Sequence, residues 1–334
     1  MSDTLGVIGG GAWGTAIAQM LASDGRDVVL WARESETVSA INETRQNTVF
    51  LPGIALSPQV RAVGALADLN GIDTLFAVAP AQHTAAVLSD LPHSPRDLVL
   101  CSKGIEQSSG RLMNDVAKDV CPSADIAIMS GPTFAHEVAR GLPTAVTLAC
   151  SQGDEQWQRL SPAIARQTFR PYYSDDVIGA EIGGAVKNVL AIACGVVDGL
   201  ELGQNARAAL IARGYAEMMR FGEALGARVE TLSGLCGLGD LVLTCSSTSS
   251  RNFSLGLALG KGEAAATLLA DRRTVAEGAH TAPVLVELAA RHGVAMPIVS
   301  AVYRLLNGAQ PAKIVTALLA RPLRSEQDTA ADNP

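Results

Sequence analysis

Apolar positions along this chain of 334 residues fall into two textures. In the first half, short runs of Val, Ile and Leu alternate with longer stretches whose apolar residues recur every three or four positions. The runs at 5–8, 28–31, 74–79, 98–101 and 126–129 predict strands, and those at 145–149 and 169–173 extend the set. Unbroken apolar runs separated by helical stretches are the pattern of a parallel sheet covered on both faces. From about Asp175 the chain turns to long Ala/Leu/Gly-rich segments, which predict helices over 181–199, 205–226, 254–259, 263–271, 281–292 and 298–307. The expected fold is α/β: a doubly wound sheet domain over 1–178, a mainly α-helical domain over 179–320 and a polar tail over 321–334.

Composition narrows the class. Hydrophobic residues make up 48% and charged residues 18%, which excludes a disordered chain. A net charge of −7 speaks against a broad nucleic-acid or anionic-membrane surface, so an anionic ligand must meet locally placed Lys and Arg. The six cysteines show no C-x-x-C pattern and read as small core residues of a reducing compartment. Five scattered histidines give no metal-ligand spacing, so no metal site is expected. The start, MSDTLGVIGG, lacks a basic segment followed by a long apolar run, and glycine or charge interrupts the apolar stretches short of the roughly 20 residues of a membrane span. A cytoplasmic protein without membrane insertion is the expectation.

The stretch LGVIGGGAWGTAIAQMLASDG sets Gly9, Gly11 and Gly14 in G-x-G-x-x-G register, directly after a strand and at the start of a helix. In that context the pattern marks a Rossmann-type dinucleotide site, because the glycines allow a tight turn and the helix start offers unpaired N–H groups to a pyrophosphate. At the end of the second strand, VVLWAR, the position that carries an acid in NAD-binding folds is Ala32, and Arg33 follows. A guanidinium suits a 2′-phosphate, so NADP(H) is favoured, while Glu34 leaves NAD(H) open. The competing reading of Arg33 is a solvated surface charge.

One cation interrupts an apolar helix. In EIGGAVKNVLAIACGVVDG, Lys187 has Gly183 four residues before it and Ala191 four after. It either snorkels to water, pairs with a buried acid, or exchanges a proton with a ligand, and Asn188 beside it points to the last. GLGDLVLTC offers Asp240 as an orienting carboxylate or, equally, a helix cap, and SSTSSRNFSLG gathers Ser250, Arg251 and Asn252 as phosphate donors or as a capping loop. Lys103 in CSKGIE and Gly131 to Thr133 in SGPTFA follow strands, on the edge where α/β ligands bind, and each also reads as ordinary loop.

Taken together, GGGAWGTA, VVLWAR, CSKGIE, SGPTFAHEVARGLPTAV, GGAVKNVLAI, NARAALIARGYAEM, GLGDLVLTC, SRN and VAEG resemble the bacterial NAD(P)-dependent glycerol-3-phosphate dehydrogenases, in order and spacing from about residue 5 to 310. The resemblance implies reversible reduction of dihydroxyacetone phosphate to sn-glycerol 3-phosphate for phospholipid synthesis. It also implies a helical domain like that of 6-phosphogluconate dehydrogenase and a homodimer. Carried over by motif, Lys187 is the general acid/base. Lys103, Gly131, Thr133, Lys187, Asp240, Ser250, Arg251 and Asn252 would contact substrate. Gly9, Gly11, Trp13, Gly14, Arg33, Lys103, Ala135, Arg251, Val275 and Glu277 would contact the dinucleotide. The chain departs from the pattern at Ala12, where a serine is usual, and His83 and the tail receive no role. Two competing functions stand beside this one: a β-hydroxyacid dehydrogenase, which would read a carboxylate, and a silent NADP-binding scaffold, which would have no use for Lys187, Asp240 and Arg251.

Overall fold

A computed structural model describes residues 4–270 and 276–322; Val275 and the tail beyond residue 322 lie outside the described residues. The chain forms two compact units, one from the described residues of Met1–Ser102 and Arg111–Ala180, the other from those of Lys103–Gly110 and Glu181–Pro334. The short excursion Lys103–Gly110 thus belongs with the helical unit, although its neighbours on both sides in sequence belong to the sheet.

The first unit is built on strands β1 (Leu5–Ile8), β2 (Val28–Trp31), β3 (Val60–Val63), β4 (Thr74–Ala77), β5 (Asp97–Leu100), β6 (Asp125–Ser130), β7 (Thr144–Cys150) and β8 (Phe169–Ser174). They lie in the order β3-β2-β1-β4-β5-β6-β7-β8, parallel throughout except between β6 and β7. Central strands such as LGVI and DLVL are buried at every position, as a sheet covered on both faces requires. The edges read differently. β3 carries exposed Arg61, which explains why VRAV does not stand out as a strand, and β8 holds Pro171, tolerated at an edge that needs no N–H. Strand order reverses at β1, flanked by β2 and β4, so the chain leaving β1 meets the switch point where open α/β sheets bind ligands.

The second unit is helical. Its long elements are Val177–Gly199, Gly203–Ala224, Arg251–Gly260, Glu277–Arg291, Pro297–Leu306 and Pro311–Leu319. The first begins four residues ahead of the expected 181 because the Asp176 carboxylate accepts the Gly179 N–H at 2.8 Å and caps it. This helix also corrects the expectation about apolar length: at 23 residues and a mean hydropathy of 1.5 in its most apolar window it is long and apolar enough to cross a membrane. Here 89% of that window is buried inside the protein, as in a core helix. Pro297–Leu306 starts on a borrowed cap, with the Glu217 carboxylate accepting the Ile298 and Val299 N–H groups at 2.7 and 3.2 Å. Burial pushes the Glu217 carboxyl up to about 7 against the pull of these two bonds.

Candidate active site

In the first unit, the chain turns out of β1 through Gly9 at φ +123° into helix α1 (Ala12–Leu21). A side chain at Gly14 would place Cβ 1.8 Å from the Gly9 carbonyl oxygen, so the turn and the helix can meet only through glycine. Gly11 is the residue before the helix, has no neighbour within 4 Å of its Cβ direction, and no acidic side chain stands in the first turn. Open space over unpaired N–H groups is a fitting cradle for a pyrophosphate. The buried Trp13 indole N–H lacks an acceptor among the described residues, a further donor at the same helix start. Beneath the loop, fully buried Asn47 donates to Gly10 O and Thr15 Oγ1, both at 2.8 Å. The sequence alone does not mark Asn47, since a lone Asn in a loop carries no local signal.

Arg33 and Glu34 follow β2, and Glu34 precedes helix α2 (Ser35–Thr44). Gly131 and Thr133 occupy the turn after β6, where the Thr133 hydroxyl donates to Gly131 O at 3.2 Å, and Ala135 opens the short helix Ala135–Ala139. All of these belong to the first unit.

The second unit assembles the lysine site. Lys187 and Asp240 are both buried, and Lys187 Nζ donates to Asp240 Oδ1 at 2.7 Å and to Thr244 Oγ1 at 2.9 Å. Thr244 in turn donates to the same Oδ1 at 3.1 Å. Lys103 Nζ donates to the other carboxylate oxygen, Oδ2, at 2.6 Å. Asp240 is therefore no helix cap: it lies in the first turn of the short helix Asp240–Thr244 and spends both oxygens on lysines. Snorkelling of Lys187 is likewise excluded by its burial. Loss of water pulls the Lys187 ammonium down from 10.5 to about 8, although Asp240 opposes the shift. Burial alone would raise the Asp240 carboxyl, but the ammonium groups of Lys103 and Lys187 hold it below its ordinary value. With all three groups ionised the cluster carries one excess positive charge, and among the described residues two of the three protons on Lys187 have partners.

A second chain of contacts runs from Lys103. Its carbonyl accepts from Asn188 Nδ2 at 3.3 Å, Asn188 Oδ1 accepts from Asn252 Nδ2 at 3.0 Å, and Asn252 Oδ1 accepts the Gly278 N–H at 2.9 Å. Ser250 is the N-cap of Arg251–Gly260 and accepts the Phe253 N–H at 3.2 Å, so the capping reading of this segment holds for its hydroxyl. Arg251 and Asn252 lie inside the first turn, Arg251 exposed and Asn252 buried, and Glu277 starts the helix whose next N–H Asn252 holds. The structure thus joins Lys103, Lys187, Asp240 and Asn252, with Ser250, Arg251 and Glu277 alongside in sequence. Asn188 and Thr244 complete the network. Asn188 could be suspected from its place beside Lys187, whereas Thr244 became visible only once the helix turn from Asp240 was known.

Glycine explains why helices can crowd this lysine. A Cβ on Gly183 would stand 2.4 Å from Cys236 O, one on Gly195 2.0 Å from Phe253 O, and one on Gly256 2.0 Å from Ile192 O. The Lys187 helix and Arg251–Gly260 therefore touch backbone to backbone, which sets the register of Asn188 against Asn252. Gly256→Ala is expected to force them apart at a cost of about 1–3 kcal/mol, with an overpacked contact as the cause. Calorimetric melting measures this, and an unchanged melting temperature would show that the contact tolerates a methyl group.

Comparison with known proteins identifies the family and the fold. Residues 4–156 match the family described as NAD-dependent glycerol-3-phosphate dehydrogenase N-terminus, and residues 176–317 match its C-terminus counterpart. A glycerol-3-phosphate dehydrogenase (NAD(P)+) of Erythrobacter litoralis is 71% identical over 99% of this chain and 100% of its own. Its namesake in Novosphingobium aromaticivorans is 68% identical over 98% of this chain and 99% of its own. The crystal structure of glycerol-3-phosphate dehydrogenase from Coxiella burnetii superposes with a TM-score of 0.90 at 38% identity, covering 95% of this chain and 99% of that one.

Proposed function

Because the chain belongs to the NAD-dependent glycerol-3-phosphate dehydrogenase family, we propose that it reduces dihydroxyacetone phosphate reversibly to sn-glycerol 3-phosphate, supplying glycerophospholipid synthesis in the cytoplasm as a homodimer. The observation that carries the reading is the Lys103–Asp240–Lys187 cluster, in which one proton of the buried Lys187 has no partner among the described residues.

The bound dihydronicotinamide supplies the hydride. Lys187 presents its remaining proton to the carbonyl oxygen, and in the reverse direction the neutral amine takes the alcohol proton. Asp240 orients Lys187 and, with Thr244, uses up its other two donors, so that the third is directed rather than shared. The excess positive charge of the cluster offsets the negative charge gathering on that oxygen, and burial makes the offset strong. Lys103, Gly131, Thr133 and Ser250 add contacts to substrate, with Arg251 and Asn252 clamping its phosphate. Gly9, Gly11, Trp13 and Gly14 hold the pyrophosphate end of the dinucleotide, and Arg33 takes a 2′-phosphate, which favours NADP(H) over NAD(H). Ala135, Lys103, Arg251, Val275 and Glu277 complete the dinucleotide contacts.

Arg251→Ala tests the clamp. Losing a charge-assisted bond to the phosphate is expected to raise KM for dihydroxyacetone phosphate about 10- to 100-fold, with kcat less affected. Unphosphorylated dihydroxyacetone, reduced slowly if at all, should be indifferent to the change. A KM that stays put in Arg251→Ala would remove Arg251 from the substrate site.

A further inference from the structure

The end of β2 is tied to the phosphate loop. Ile8 pairs with Trp31, and the Gly9 N–H donates to Trp31 O at 3.0 Å, so residues 32 to 34 leave the sheet beside the fingerprint glycines. Ala32 is fully buried, and a Cβ on Gly10 would stand 2.4 Å from the Ala32 Cβ. The position that carries the acid holding ribose hydroxyls in NAD-binding folds is here a buried alanine, which offers no such carboxylate. The first side chains to reach solvent are Arg33, 76% exposed, and Glu34, 39% exposed. They are already bonded to each other: Glu34 Oε1 accepts from Arg33 Nε at 3.1 Å and from Nη2 at 2.8 Å. Although Glu34 stands at the N-cap of α2, its side chain makes no capping bond, and only its backbone carbonyl serves the helix, accepting the Val38 N–H at 3.2 Å.

From this geometry we infer that Glu34 sets the balance between the two cofactors, opposing NADP(H) and supporting NAD(H). The inference rests on the proposed use of Arg33 for the 2′-phosphate and deepens it. A phosphate that takes the guanidinium must either break the Glu34 bond or sit beside the carboxylate, and both lower its affinity. With NAD(H) the same place holds a neutral 2′-hydroxyl, a donor that the second Glu34 oxygen can accept while Arg33 stays paired. One carboxylate thus acts in opposite senses on the two ligands. Loss of a merely structural group would shift both the same way.

Direct binding tests this without turnover. Wild type, Glu34→Gln, Arg33→Ala and, as a bystander charge on the same helix turn, Glu36→Gln are titrated calorimetrically with NADP+, NAD+, adenosine 2′-monophosphate and adenosine 5′-monophosphate. Glu34→Gln is expected to tighten NADP+ and adenosine 2′-monophosphate about 2- to 5-fold. The same variant should weaken NAD+, and Glu36→Gln should leave the NADP+/NAD+ ratio where it was. Arg33→Ala should weaken NADP+ about 10-fold or more. If Glu34→Gln leaves the ratio unchanged, or moves both cofactors together, while Arg33→Ala still weakens NADP+, the role of Glu34 is overturned and the 2′-phosphate site stands. If Arg33→Ala leaves NADP+ binding intact, the 2′-phosphate site itself fails, and the role of Glu34 with it.

Discussion

Lys187→Met is expected to lower kcat for reduction of dihydroxyacetone phosphate by roughly 10²–10⁴-fold while NADPH binding, measured by titration, stays at the wild-type value. The reason is that Lys187 is the buried ammonium of the cluster, with two donor positions fixed by Asp240 and Thr244 and a third that has no partner among the described residues; Asp240 accepts from two lysines and Thr244 is held between Lys187 and Asp240. Methionine approximates the length of the side chain without its charge, and Asp240 keeps Lys103 as a partner, so the variant is expected to fold. The pH dependence follows from the same group. Reduction needs the ammonium, so kcat/KM in that direction should fall as the pH rises through about 8, and oxidation, which needs the amine, should rise through the same range. Linkage fixes the stability sign as well: between about 8 and the unfolded value of 10.5 the unfolded chain binds more protons than the folded one, so the contribution of Lys187 to stability increases with pH across that window. Lys187→Met should abolish this increment and the alkaline limb of the rate profile together. Turnover within a few-fold of wild type would remove Lys187 from the chemistry.

Asp240→Asn should be nearly as damaging, for a different reason. The amide keeps the shape but not the charge, leaving the buried Lys187 ammonium and the partly buried Lys103 ammonium facing a neutral side chain, and such a broken ion pair costs about 3–5 kcal/mol. Stability will fall, yet stability is not the informative readout. Asp240 is what holds the Lys187 proton against desolvation, so its loss should drive the Lys187 ammonium further below about 8. Reduction at neutral pH should then drop by roughly two orders of magnitude, as expected for loss of a positioned acid. Part of the rate should return as the pH is lowered, with the alkaline limb displaced to lower pH. A variant that is merely unstable would lose rate at every pH without moving the limb, and that outcome would deny Asp240 its control over the lysine.

What the chain disclosed before its structure follows from the range of each signal. Gly9, Gly11 and Gly14 are legible because the turn and the helix start they serve lie within one short stretch, and the neighbouring strand is an unbroken apolar run. Lys187 is legible as an anomaly, a charge where the helical pattern asks for a small apolar residue. Its partners are not legible in that way, since Asp240 and Thr244 lie 53 and 57 residues away and Lys103 meets Asp240 across 137. Lys103 follows β5 and reads as part of the sheet domain, whereas its ammonium and carbonyl are both spent on the helical unit. Family motifs brought these residues onto one roster, but only the fold distinguishes a bridging carboxylate from a helix cap at Asp240, or finds Ser250 already engaged as a cap. Backbone contacts such as Gly195 with Phe253 are the least legible, because a glycine required for close approach and a glycine in a loose turn look alike in sequence.

The central claim is that this buried lysine cluster serves the reduction of a phosphorylated ketone. The measurement that meets it most directly is NADPH oxidation by the purified protein on addition of dihydroxyacetone phosphate, with unphosphorylated dihydroxyacetone run beside it. Rapid oxidation with the phosphate and little without it is the expected result. No oxidation with either ketone, by protein shown to bind NADPH, would contradict the claim.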